Sequence, residues 1–175
     1  MLKKLILTKF NKTFFNQSYF ICIMQREKSV GAIIYEKEDD KIKFLILYKI
    51  ANDKYKESWD FSRGNIEKEE DEKQTAVREI KEETGINDLK FIEGFRERTN
   101  FVYKKQGNLI FKEIIYLLAE TKKKEVVLSF EHNNYLWLDF NDAFNKITFK
   151  NTKDVLKLAN DFLIKREKEG LNRFL

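Results

Sequence analysis

The chain has 175 residues, 42% of them hydrophobic and 36% charged, with 34 Lys and Arg against 29 Asp and Glu for a net charge of +5. That length suits one domain with a real core, which sixteen Phe and seven Tyr can fill with aromatics to spare. A single cysteine, Cys22, excludes a disulfide framework or a Cys-based zinc site and points to a cytoplasmic protein; no apolar run approaches the ~20 residues of a membrane span.

Residues 1–27 read as an N-terminal extension. Lys9, Asn11, Lys12, Asn16 and Gln17 interrupt any secretory core, leaving open an appended strand, a hairpin or an upstream start. Residues 29–37 and 42–48 are β-branched apolar runs around a polar turn, which predicts two strands. A polar loop over 50–58 leads to a short strand at 59–61. Residues 71–84 predict a helix with Ala76, Val77, Ile80 and Thr84 as its apolar stripe and Gly85 as its left-handed terminator. A strand over 89–99, bulged at Gly94, continues through 100–105 to a hairpin turn at 106–108 and a strongly apolar strand over 109–120. Short strands follow at 126–128 and 135–138, separated by a polar loop, then a short helix at 141–146. An amphipathic helix over 151–168 presents Val155, Leu158, Ala159, Phe162 and Leu163, with Asn151 and Asp154 at capping spacing. This order, without internal repeats, predicts an α/β/α sandwich with a mixed sheet between helices, a domain over 28–168 and a charged tail over 169–175.

The chemistry concentrates in residues 64–86. On a helix, Glu79, Glu82 and Glu83 rise from one side, and Lys81 points elsewhere. Crowded hard oxygen ligands suit Mg²⁺, or Mn²⁺, with substrate phosphates completing the coordination, and Arg78 offers a planar fork to organise them. An isolated run of this kind is most often a solvated charged face. Here, however, Gly64, Glu70, Arg78, Glu79, Ile80, Glu82, Glu83, Gly85 and Ile86 match the Nudix box without departure. Chance agreement at seven specified identities is on the order of one in 10⁸ per starting position. The chain is similar to the Nudix hydrolases, and that resemblance implies the same sandwich fold.

Three flanking stretches, at 29–37, 59–67 and 111–143, resemble the asymmetrical dinucleoside tetraphosphate hydrolases of that family. The resemblance implies Glu79, Glu83 and Glu82 as metal ligands beside Gly64, Arg78 as their organiser, and Glu131 as a metal ligand or water activator. It implies Arg63 and Lys112 as phosphate contacts, Tyr135 as a base-packing aromatic, and either Phe101 or Tyr103 as a second stacking partner. Ser62 stands where the family has a rigid proline, Arg63 where it usually has lysine, and Ser58 where animal-type relatives often have histidine. His132, the single histidine, reads as orienting the Glu131 loop or facing solvent rather than ligating metal. The expectation is a Mg²⁺-dependent pyrophosphohydrolase cleaving diadenosine tetraphosphate to ATP and AMP by metal-activated water attack, with no membrane and no stable protein partner. An RNA 5′-pyrophosphohydrolase, another nucleoside polyphosphate diphosphatase and a non-catalytic nucleotide sensor are the competing readings.

Overall fold

The computed structural model describes residues 25–39, 41–51 and 56–171. Expectations for residues 1–24, including Cys22, and for 172–175 lie outside that range. The elements are β1 (Gln25–Glu38), β2 (Lys41–Lys49), β3 (Ser58–Asp60), β4 (Arg63–Asn65), α1 (Glu72–Thr84), β5 (Lys90–Lys105), β6 (Asn108–Glu120), β7 (His132–Leu138), α2 (Phe140–Lys146) and α3 (Lys150–Leu171).

A seven-stranded mixed sheet forms the middle layer. β1 runs parallel to β6 over eleven residue pairs, and β6 forms an antiparallel hairpin with β5. On its other side β1 meets β2 only from Tyr35 to Glu38. Where the two diverge, β4 pairs with β1 and β3 pairs with β2. Gly31 permits this insertion. A Cβ there would lie 2.1 Å from the Ser62 carbonyl oxygen and 2.5 Å from the Arg63 Cβ, so any larger residue would push 62–63 off the sheet. The segment entering α1 is thereby carried into the centre of the fold rather than along its rim.

Period-two alternation in β1 sends its residues to opposite layers. Ile33 and Tyr35 pack with Phe44, Ile46, Ile114 and Tyr116 beneath α2 and α3, contributed by Ala143, Val155, Leu156, Ala159 and Leu163. Val30, Ala32 and Ile34 face the other way, onto Ala76 and Ile80 of α1. The expected sandwich is therefore present.

The structure departs from four expectations. Val77 is 39% exposed and Thr75 takes the buried position, its hydroxyl donating to the Asp71 carbonyl and to Glu70. On α3, Leu156 is fully buried while Leu158 is largely outside, and the helix starts at Lys150 with Lys153 N–H bonded to the Phe149 carbonyl, so Asn151 is no cap. Residues 126–128 form no strand. Instead the amides of Val127 and Ser129 donate to the carbonyls of Thr84 and Glu83 at 2.9 and 3.2 Å, using the loop to satisfy the C-terminus of α1. The bulge at Gly94, with φ +87°, and the left-handed Gly85, with φ +68°, are as expected.

Candidate functional site

α1 is set by its ends. Asp71 accepts from the Gln74 amide while the Gln74 side chain accepts from the Asp71 amide, a reciprocal cap that aims the first turn. One side chain then ties the loop before the helix to its acidic side. The Arg78 fork grips Glu70 through Nε and Nη2 at 2.7 and 2.9 Å, reaches Glu79 through Nη1 at 2.7 Å, and donates to the Asn65 carbonyl at 3.0 Å. This bidentate pairing holds the Glu70 carboxyl down to about 2.

The three expected carboxylates divide by depth. Glu83 is 8% exposed, and burial pushes its carboxyl up to about 7; its Oε2 accepts the Arg63 amide at 3.2 Å. Glu79 is also raised, by burial first, despite its contact with Arg78. Glu82 points outward and meets Arg78 at 3.4 Å. Gly64 sits directly against Glu79: a Cβ there would fall 1.9 Å from the carboxylate. Among the described residues, no three acidic, His or Cys side chains already converge as a closed metal cage. The donor set nonetheless fits a hard divalent cation. Glu83, buried, and Glu79, half-buried, carry a desolvation penalty that such a charge would offset, and the missing side chain of Gly64 lets the Glu79 carboxylate lie directly against the backbone.

Glu131 enters from the loop that covers the end of α1. Its carboxylate pairs with Lys49 at 2.7 Å, which holds it below the usual range, and its charge adds to the upward push on Glu79. His132 is buried; burial pushes it down to about 4, so it is neutral near pH 7, with Nδ1 3.5 Å from Ser129 Oγ inside the same loop. It thus sits at the start of β7, bonded back to the loop carrying Glu131 rather than facing solvent.

On the other side of β4, Lys112 donates to Asn65 Oδ1 at 3.2 Å and lies opposite Phe101 of β5. The rings of Phe101 and Tyr103 are 5.8 Å apart and tilted by 43°. Asn65 therefore joins the two halves, its carbonyl on Arg78 and its side chain on Lys112. It occupies an unspecified position of the box, so no motif marked it. Lys49 and Glu27 were likewise unmarked, because each acts through a partner distant in sequence.

Two expected contacts are placed differently. The Arg63 guanidinium turns into the fold and pairs with Asp60 at 2.7 Å, so its backbone amide, not its fork, faces the acidic cluster. Tyr135 lies opposite Leu47 and packs into the layer beneath α1, so it shares a face with the helix of the acidic cluster while Lys112, Phe101 and Tyr103 lie on the other face of the sheet. Strand alternation decides this, and the chain's register could be read only once β2 and β7 were paired.

A mixed sheet between helices thus presents an Arg-gripped loop leading into the helix that carries the glutamates. A profile described as NUDIX domain matches residues 25–158, and the chain belongs to the Nudix family. Bis(5′-nucleosyl)-tetraphosphatase [asymmetrical] of Mus musculus is 35% identical over 146 residues, 78% of this chain and 95% of that protein. The solved binary complex of a C. elegans Ap4A hydrolase superposes with a TM-score of 0.65 at 28% identity, covering 79% of this chain and 98% of that one. RNA pyrophosphohydrolase of a Nitratiruptor species is 28% identical over 131 residues, 69% of this chain and 83% of that protein. Among the described residues, no helix is long and apolar enough to cross a membrane.

Proposed function

We propose that this chain is a divalent-cation-dependent pyrophosphohydrolase that cleaves dinucleoside tetraphosphates asymmetrically, producing ATP and AMP from diadenosine tetraphosphate. The supporting observation is the pair Glu83, buried, and Glu79, half-buried, both carboxyls raised foremost by burial, with Glu79 set against Gly64 and gripped by Arg78 and its charge adding to the upward push on Glu83. Glu79, Glu83, Glu82 and the Gly64 carbonyl would hold Mg²⁺, or Mn²⁺ in its place. When bound, such a cation acidifies water and withdraws charge from the phosphoryl oxygens. Glu131, ionised and close to the cluster, accepts the proton of the attacking water. Arg78 keeps the carboxylates in register, Lys112 meets the phosphate chain, and Phe101 or Tyr103 stacks on a base. Residues 28–168 carry the activity, and the nucleotide substrates and single cysteine support the cytoplasm as its compartment.

The test is chromatography of products after incubation with Mg²⁺ and diadenosine tetraphosphate, 5′-triphosphorylated RNA, 8-oxo-dGTP or ADP-ribose, with Glu83→Gln as control. Equal ATP and AMP, formed faster than any other product and reduced at least ~10²-fold by the substitution, is the expected result. Faster release of pyrophosphate from RNA would move the function to transcript processing, and binding without turnover would leave a sensor.

A further inference from the structure

β1 opens with a carboxylate that belongs to neither the box nor the resembling stretches. Glu27 lies beside Lys112 across the parallel β1–β6 ladder and reaches past it to the hairpin. Its Oε2 accepts from the Tyr103 hydroxyl at 2.8 Å and lies 3.5 Å from Lys112 Nζ; its Oε1 accepts from Lys105 Nζ at 2.9 Å. The side chain is 22% exposed and that of Lys112 15%. One carboxylate thus contacts two ammonium groups and the hydroxyl of a stacking candidate, all on the sheet face that carries Lys112.

Oxygen of a phosphate and oxygen of a carboxylate compete for the same donors. A substrate that engages Lys112 must either displace Glu27 or lie beside it against like charge, and at this degree of burial that repulsion is weakly screened. The ion pair with Lys105, foremost, holds the Glu27 carboxyl below its ordinary range, so it is charged at neutral pH. The alternative role, a strut that merely fixes Tyr103, needs only one of the two oxygens.

We propose that Glu27 is a specificity-determining internal counter-ion: it occupies Lys112 and Lys105 in the free protein, and polyphosphate binds by exchanging for it. The proposal rests on the reading of Lys112 as a phosphate contact. Glu27 sets how much anionic charge a ligand must bring to be held, and it shields the site from small anions.

The experiment is calorimetric titration of the full chain with inorganic tripolyphosphate, without divalent cation, for wild type, Glu27→Gln, Lys112→Met and the double variant. Glutamine is nearly isosteric and still accepts from Tyr103. Glu27→Gln is expected to tighten binding about three- to tenfold and to steepen its weakening by salt. In the Lys112→Met background most of that gain should vanish. With diadenosine tetraphosphate, Glu27→Gln should lower KM more than it changes kcat. Weaker binding by Glu27→Gln would make Glu27 a strut, and unchanged binding would leave it inert; either overturns the proposal. Wild-type affinity in Lys112→Met would instead overturn the phosphate role of Lys112, separating that failure from this one.

Discussion

At the scale of single residues, Gly64 carries the sharpest consequence. A methyl group at that position would overlap the end of the Glu79 side chain, which is flexible, rather than backbone. Gly64→Ala should therefore fold, with a thermal midpoint close to wild type, while its carboxylate neighbour is displaced by about 1 Å and turnover falls about 10²-fold. Melting curves and initial rates on the same preparation check both halves; a well-folded variant with normal rates would detach Glu79 from the chemistry. Gly64, Arg78, Glu79 and Glu83 were legible as a group because their identities and spacing are chemically constrained. Arg63 was not. Its residue type suits a phosphate clamp, but its partner Asp60 is three residues away at the end of β3, and only the fold decides how the chain turns between them.

At the scale of elements, α1 is fastened at its first turn as well as through its core face. Glu72 accepts from Arg96 of β5 through both oxygens, at 2.7 and 2.9 Å, and from Lys28 of β1 at 2.7 Å, and it sits where the helix dipole favours an anion. Arg96 foremost, then Lys28, hold its carboxyl down to about 2 against burial. Because the folded value lies below the unfolded one, the stabilisation is present above about pH 4.5 and is lost as pH falls towards about 2. Partly exposed partners limit it to about 1 kcal/mol. Glu72→Gln should lower the thermal midpoint at pH 7 by about 2–4 °C and flatten its fall between about pH 4.5 and 2, while an unchanged acid limb would remove Glu72 from the account. Helix positions were legible from periodicity, yet the edges of each stripe were not. Val77 and Leu158 are apolar and exposed, whereas Thr75 is polar and buried, because a hydroxyl that bonds its own preceding turn can enter a core.

At the scale of the whole molecule, Asp60 links the layers. It pairs with Arg63, accepts from Thr152 of α3 at 3.1 Å, and through the Arg63 backbone stands one step from Glu83 beneath α1. Its side chain is 7% exposed, so Asp60→Ala would strand a largely buried guanidinium. Urea unfolding should show a loss of about 3–5 kcal/mol, and Asp60→Ala with wild-type stability would mean that the guanidinium finds another partner or reaches water.

The amino-acid sequence alone determined the layer architecture, the helix carrying the acidic cluster and the residues within it. Those features rest on local periodicity and on a spacing that few chains satisfy by chance. Only the tertiary structure decided which side of the sheet each strand residue faces, which carboxylates are buried, and where Arg63 and Tyr135 point. Alternation along a strand is visible in a sequence, but its phase is set by pairing with distant strands. Glu27, far from Lys112 along the chain, shows the same limit: the two meet only because β1 and β6 lie parallel at the centre of the sheet.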